Sequence, residues 1–161
     1  MPLFEHVTNL PADHQWVFEF LADVHNLPKV MPPKPQFTII DAPPRLLLGA
    51  RIHARVYRYG LWQTMINEVT WFEEGVGFTD VMVKGPFSQF EHTHRVEPVA
   101  NGCRMSDRIV FAPPKGPLGW IVTASRIEQE LSRVFAYRDV KFSELFGSSS
   151  TIQGASNNPM K

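Results

Sequence analysis

Six strand-like segments follow one another in the middle of the chain, too closely spaced for helices to fit between them. The breaks between them contain Gly, Pro, Asp or Asn, the residues that favour turns. Parallel neighbours need crossovers of about a dozen residues, so this spacing predicts an antiparallel sheet in which consecutive strands pair. The segments are 36–40, 49–58, 62–72, 77–84, 87–97 and 103–112.

The hydrophobic period changes after Pro117 and predicts one long C-terminal helix over about 118–146. Gly147 is suited to end that helix. Ahead of the sheet, we expect a first strand over 3–8, a helix over about 11–22 with Pro11 at its first position, and a short second helix over 24–30. The apolar stripe of the long helix consists of Trp120, Ala124, Ile127, Leu131, Val134, Phe135, Phe142 and Leu145.

Sheet and helix must cover each other, because neither element can bury its apolar face alone. At 161 residues the chain is long enough for one domain with a real core. We therefore expect a single α+β domain over 1–147, followed by a polar, disordered tail over 148–161.

Composition argues against several classes of partner. The 16 Lys and Arg residues balance the 16 Asp and Glu residues, so no net field attracts nucleic acid or anionic lipid. No apolar run approaches the ~18 residues of a membrane span, and the N-terminus does not resemble a signal peptide. The single cysteine, Cys103, cannot form an internal disulfide and fits a reducing compartment. We expect a cytoplasmic protein without nucleic-acid binding or membrane insertion.

Two histidines separated by one residue, His92 and His94, mark the candidate site. Alternate side chains of a strand share a face, so these histidines lie with Phe90 and Val96. The opposite set, at 89, 91, 93, 95 and 97, is uniformly polar and should meet water. The histidines are therefore expected to face the long helix.

The same phasing adds carboxylates from neighbouring strands. Asp107 falls in the inner set of its strand with Met105. In 77–84 and 62–72 the two faces are nearly equivalent. We assign Trp62, Ile66 and Glu68 to the inner face of the latter, which adds Glu68 to the polar cluster. Arg138 interrupts the stripe of the long helix, and we expect it to extend to the edge of the domain rather than to bind a ligand carboxylate. His6 has no phased partner and is treated as an edge residue.

The order of motifs along the chain resembles the helix-grip fold of the START/SRPBCC superfamily, over about residues 3–146. Within that superfamily it resembles uncharacterised bacterial proteins near the polyketide cyclase/dehydrase group. The resemblance also favours Phe78 and Asp80 as inward-facing residues. It is carried by Phe78-x-Asp80, Gly85-Pro86-Phe87, Phe90-x-His92-x-His94-x-Val96-Glu97-Pro98, Arg104-Met105-x-Asp107 and Gly116-Pro117-Leu118-Gly119.

The resemblance implies a curved antiparallel sheet wrapped around the C-terminal helix, with a lipid, polyketide or similar apolar metabolite between them. This subgroup also resembles domains fused to nucleotide-binding epimerases, so a partner enzyme is a further expectation. A homodimer is another. We expect the ligand to contact His92, His94, Phe90, Phe78, Asp80, Met105, Asp107, Ile66, Trp62, Trp120, Ile127 and Leu131.

The residues leave three roles open for the polar cluster. It can be a satisfied polar network in a hydrated cavity, it can orient a ligand, or it can perform acid–base catalysis through His92, His94, Asp107 and Asp80 as in a cyclase or dehydratase. A protein whose cavity is vestigial and serves only interaction is a further possibility. Metal binding is disfavoured, because the spacing of Gly85 and Glu97 around the histidines does not match the His-x-His motif of cupins. We therefore expect neither a metal nor another cofactor.

Overall fold

A computed structural model describes residues 1–58 and 60–147, and the tail over 148–161 lies outside the described residues. Each expected strand is present, with bounds within a few residues of the prediction. The strands are β1 (Leu3–Leu10), β2 (Gln36–Asp41), β3 (Arg51–Arg58), β4 (Leu61–Glu73), β5 (Gly77–Lys84), β6 (Gln89–Val99) and β7 (Gly102–Ala112). The helices are α1 (His14–Ala22), α2 (Leu27–Val30), α3 (Pro117–Ile121) and α4 (Ala124–Phe146), and a 3-10 turn over Val24–Asn26 precedes α2.

The seven strands form one antiparallel sheet in the order β1-β7-β6-β5-β4-β3-β2. Consecutive strands from β2 to β7 pair as the short connections predicted. The first strand adds to the far side of β7, where His6 is the register partner of Asp107. The sheet packs against α4, so the helix-grip α+β architecture is confirmed.

Helix α1 begins later than the sequence suggested. Asp13 rather than Pro11 sets the start, since its carboxylate accepts a hydrogen bond from the Gln15 amide at 2.9 Å. The expected short second helix is present as the 3-10 turn and α2.

The predicted single helix over 118–146 is divided in two. Val122 and Thr123 leave the helical conformation, and the Thr123 side chain accepts from the Arg126 amide to begin α4. Val122 is only 1% exposed, so the break inserts an apolar side chain into the core. Periodicity alone did not reveal the break, because the stripe continues across it.

The core lies on both sides of a space between sheet and α4. One cluster gathers around α1 and the C-terminal half of α4, and includes Phe18, Met105 and Phe142. The other lies where β1 and β7 meet the N-terminal half of α4, and includes Ile109 and Ile127. Within the described residues, no helix is long and apolar enough to cross a membrane.

Candidate functional site

A cavity of about 230 Å³ lies between the concave face of the sheet and α4. Its walls are mainly apolar, and a minority of polar and charged side chains lies among them. The sheet contributes Ala54, Val56, Met65, Phe78, Phe90 and Ile109, and the helices contribute Phe20, Leu27, Ile127, Leu131, Val134 and Phe135. An apolar hollow with few polar groups is the usual form of a small-molecule site.

His92 and His94 face this cavity, as the alternation in β6 predicted. Both line its wall and both are buried. The register places His92 opposite Asp80 of β5 and His94 opposite Asp107 of β7. Neighbouring strands therefore bring the four predicted polar residues together on one face of the sheet.

One carboxylate oxygen of Asp107 contacts the imidazole rings of both histidines. Its Oδ1 accepts a hydrogen bond from His92 Nε2 at 2.8 Å. His94 Nδ1 lies 2.9 Å from the same oxygen but lacks hydrogen-bond alignment, so we treat this contact as electrostatic. Asp107 is 1% exposed and does not line the cavity, so it acts on the histidines from behind the wall.

Asp80 completes the network from the other side. Its Oδ2 lies 3.5 Å from His94 Nε2, and its Oδ1 accepts a hydrogen bond from the amide of Asn67. His94 therefore lies between two carboxylates, whereas His92 contacts one. The ring of His94 also packs on Phe78, with centroids 4.5 Å apart.

These contacts set the two histidines at different pKa values. Burial lowers the pKa of His92, and the charge of His94 lowers it further. Burial also opposes protonation of His94, but the carboxylates of Asp107 and Asp80 outweigh it and raise the pKa of His94. Burial would raise the pKa of both carboxyls, yet the histidines hold the pKa of Asp80 below its ordinary value and that of Asp107 well below it. The contacts therefore favour ionised carboxyl groups, and they favour protonation of His94 over protonation of His92.

Asp80, His92 and His94 also have the composition of a metal site. Each offers one potential ligand atom, and these atoms lie within 4.8 Å of one another. Coordination by His94 requires the neutral imidazole, so the two carboxylates that raise the pKa of His94 compete with a metal. The expected absence of a metal stays a prediction.

The expectation that Arg138 reaches the domain edge is wrong. Arg138 is 4% exposed and lines the cavity. Its guanidinium lies over Phe135 and Phe142, at 4.8 and 5.6 Å from the ring centroids, and its Nε has no hydrogen-bond partner. Its charge contributes to the lowered pKa of Asp107.

The structure places the other predicted contact residues in three groups. Phe78, Phe90, Ile127 and Leu131 line the cavity. Met105 is buried in the core cluster around α1 and, like Asp107, is not part of the cavity wall. Trp62, Ile66 and Trp120 lie outside the cavity, and their expected position is wrong.

The error in β4 has a structural cause. Met65 and Asn67 line the cavity, so Trp62 and Ile66 belong to the other face. Glu68 is also outside the cavity and pairs with exposed Arg51 at 2.8 Å, so its expected place in the polar cluster is wrong. A register shift between Val69 and Trp71 then breaks the alternation, so no single parity describes the strand. Arginines cover the outer tryptophans, with Arg55 over Trp62 at 4.9 Å and Arg95 over Trp71 at 5.1 Å. Large aromatic residues are therefore stable on this outer face.

Trp120 was misplaced because its helix ends immediately after it. It lies in α3 and is 83% exposed. The sequence showed only that Trp120 continues the spacing of the α4 stripe.

Three sets of polar contacts were not predicted from the sequence. Asn67 binds Asp80, and an ion pair between Arg58 and Glu130 joins β3 to α4 beside the cavity. His6, expected to be an unpartnered edge residue, contacts Asp139 at 2.9 Å, and Thr8 donates to the same carboxylate. These contacts join residues distant in sequence, and only the strand register and helix position could have revealed them.

Comparison with known proteins agrees with this architecture. Protein CV1439 from Chromobacterium violaceum has a TM-score of 0.67 at 12% identity, with 92% of this chain and 99% of that chain covered. Protein Ms6760 from Mycobacterium smegmatis has a TM-score of 0.66 at 15% identity, covering 92% of both chains. Ara h 8.0201 has a TM-score of 0.60 at 13% identity, covering 88% of this chain and 97% of that one. At such identities the likeness establishes the fold alone.

Sequence comparison establishes the family. No curated protein matches the chain significantly. The family described as "Polyketide cyclase / dehydrase and lipid transport" matches residues 1–136, which is most of the chain. The chain therefore belongs to this polyketide cyclase/dehydrase and lipid-transport family of the START/SRPBCC superfamily.

Proposed function

We propose that the protein binds a small hydrophobic or aromatic molecule in the cavity between the sheet and α4. The observation that carries this proposal is the apolar cavity of about 230 Å³ with His92 and His94 in its wall. Family membership supports ligand binding as the general function. The ligand would contact the predicted residues Phe78, Asp80, Phe90, His92, His94, Ile127 and Leu131.

Apolar and polar residues of the wall would have different roles in binding. Aromatic and aliphatic side chains such as Phe90 and Leu131 would supply affinity by removing apolar surface from water. His92 would fix orientation, because Asp107 engages its Nε2 and leaves its Nδ1 available to a ligand. Residues of the 3-10 turn and α2, including Val24 and Leu27, form another part of the wall and would cover the bound molecule.

The volume limits the ligand. An apolar cavity of about 150 Å³ binds benzene, so the present cavity suits a molecule larger than one ring. It is smaller than the ~300 Å³ typical of drug-sized sites. A bicyclic aromatic molecule such as naphthalene is therefore a suitable probe.

Native mass spectrometry of protein purified from its own host tests the proposal on the natural ligand. We expect a co-purifying organic molecule, released when the protein is denatured. Leu131→Trp should fill the cavity and weaken naphthalene binding by about tenfold or more. Val140→Trp, on the exposed surface of the same helix, is the matched control and should bind as the wild type does. A folded wild-type protein that takes up neither molecule would overturn the proposal.

A second candidate function is acid–base catalysis by a cyclase- or dehydratase-type enzyme. It is favoured by His92, a cavity-lining imidazole of lowered pKa that Asp107 orients from behind. His92 would act as proton acceptor, and His94 with Asp80 would complete the charge network. Hydrogen–deuterium exchange at the α-carbon of 2-tetralone, followed by NMR, tests this chemistry without a known substrate. Faster exchange than in buffer, abolished by His92→Gln, would support it. Exchange at the buffer rate would leave binding as the function.

We also propose a location in the cell and a form of assembly. Cys103 is buried, and burial raises the pKa of its thiol, so we propose a reduced and unreactive cysteine in the cytoplasm. A homodimer or a partner enzyme also stays a prediction, to be checked by the mass of the protein in solution.

A further inference from the structure

Arg138 is a charged residue of the cavity wall whose guanidinium has no ionic partner among the described residues. Its Nε lacks a hydrogen-bond acceptor, and no carboxylate of residues 1–58 or 60–147 forms an ion pair with it. The side chain is 4% exposed, so water cannot solvate it freely. A buried cation in this position is costly unless an anion joins it.

The other charged groups of the wall already have direct partners. Arg58 pairs with Glu130. Asp80 is engaged by Asn67 and His94. His92 and His94 both contact Asp107 behind the wall. In the part of the chain that the structure describes, Arg138 is therefore the cavity-lining charge left without a contact of opposite sign.

The surroundings of Arg138 hold the guanidinium in place without a direct ion pair, and the charge that acts on it across a longer distance is that of Asp107. The rings of Phe135 and Phe142 lie beneath it on the same helix, at cation–π distances. Such contacts stabilise a cation far less than burial without an ion-pair partner destabilises it. A planar guanidinium offers five donors in a fork that matches a carboxylate.

We propose that Arg138 binds the carboxylate of the ligand, so that the ligand class is a small aromatic or alicyclic carboxylic acid. This inference rests on the proposed function and makes it more specific. The apolar wall would hold the ring system, and Arg138 would receive the anionic end. The ligand would supply the counter-ion that the chain itself does not place beside the guanidinium.

A purely structural role for Arg138 is the competing explanation. Asp107 Oδ2 is buried without a hydrogen-bond partner, and the charge of Arg138 acts on this carboxyl. In that case Arg138 would support the histidine network through Asp107. Its removal would then change stability and histidine titration but would not change which ligands bind.

Matched naphthalene derivatives separate these explanations. The experiment measures binding of 2-naphthoate and of its neutral analogue 2-naphthamide at pH 8, where a carboxylic acid is ionised. The proteins are the wild type, Arg138→Gln, Arg138→Lys and Arg133→Gln. The last variant removes the same charge from an exposed position on the same helix and serves as the control.

We expect Arg138→Gln to weaken 2-naphthoate binding by about 30-fold or more while changing 2-naphthamide binding by less than about threefold. Arg138→Lys should retain part of the preference for the carboxylate, since it keeps the charge but loses the fork. Arg133→Gln should bind both ligands as the wild type does. Thermal unfolding of each variant establishes that it is folded before binding is measured.

Three other binding results would contradict the carboxylate inference. If the wild type binds 2-naphthamide but not 2-naphthoate, ligand binding stands and the carboxylate inference fails. If Arg138→Gln weakens both ligands equally, Arg138 has only a structural role and the inference also fails. If the folded wild type binds neither compound, both the inference and the proposed function are overturned.

Discussion

The imidazole rings of His92 and His94 lie with their centroids 3.7 Å apart, and both contact Oδ1 of Asp107. At this separation a charge on one ring disfavours a charge on the other. Asp80 contacts His94, which favours protonation of His94 over protonation of His92. The two imidazoles therefore differ in pKa, with that of His94 raised and that of His92 lowered.

The first prediction concerns the titration of these rings. His94 should titrate above its ordinary pKa of about 6.5 and His92 below it. Nitrogen-15 NMR of the histidine side chains across a pH series measures both values directly. If His92 titrated above His94, the assigned charges would be incorrect.

The same shifts predict opposite pH dependences of stability. A raised pKa means that the stabilisation from His94 is complete below about pH 6.5 and is lost as the pH rises through the folded value. A lowered pKa means that the contribution of neutral His92 is present above about pH 6.5 and is lost as the pH falls through the folded value. The stability gap between wild type and His94→Gln should thus shrink toward high pH, and that of His92→Gln toward low pH. Urea unfolding of the three proteins at several pH values measures both gaps.

Replacing Asp107 should be costly because one oxygen serves two buried imidazoles. Asp107→Asn keeps an acceptor for His92 but removes the charge that supports protonated His94. We expect a loss of about 2 kcal/mol in the free energy of unfolding at pH 7, measured by urea denaturation. Asp41→Asn, at an exposed position, is the control and should change stability by less than about 0.5 kcal/mol. Equal effects of the two substitutions would contradict the described network.

The alternation of side chains along a strand predicted the site residues correctly only on strands whose two faces differ in polarity. In β6 the outer residues from Gln89 to Glu97 are all polar, so His92 and His94 were placed correctly. In β4 both faces carry large apolar residues, and pattern alone could not choose between Met65 and Ile66. The burial of Arg138 depends on the position of a helix relative to the sheet, which no local pattern encodes. Turn spacing was sufficient for the pairing of β2 to β7, and the final helical period for the presence of a C-terminal helix, because both follow from short-range chemistry. The break at Val122 and the pairing of β1 with β7 depend on tertiary packing and were not predicted.

The corrected register of β4 makes its own prediction. Met65→Ala removes a side chain from the cavity wall, enlarges the cavity and should change the affinity for naphthalene. Ile66→Ala alters the opposite face of the strand and should leave that affinity unchanged. Isothermal titration calorimetry of both variants measures the contrast. An effect of Ile66→Ala alone would show that Ile66, rather than Met65, faces the cavity, as the sequence pattern first suggested.

The break before α4 depends on a capping side chain. Thr123 accepts a hydrogen bond from the Arg126 amide at 3.4 Å. Thr123→Ala should lower the free energy of unfolding by about 1 kcal/mol, while Thr123→Ser, which keeps the hydroxyl, should lose much less. Chemical denaturation measures both. If the two variants were equally stable, the hydroxyl would not be the group that begins the helix.

Methyl NMR with added naphthalene tests the central claim most directly, because it locates a bound molecule residue by residue. The account predicts saturable shifts at the cavity methyls of Ile109, Ile127, Leu131 and Val134. The exposed methyls of Ile40, Leu48, Val83 and Val140 should not move. Shifts confined to the exposed group, or no saturable shift in the folded protein, would contradict ligand binding between sheet and helix.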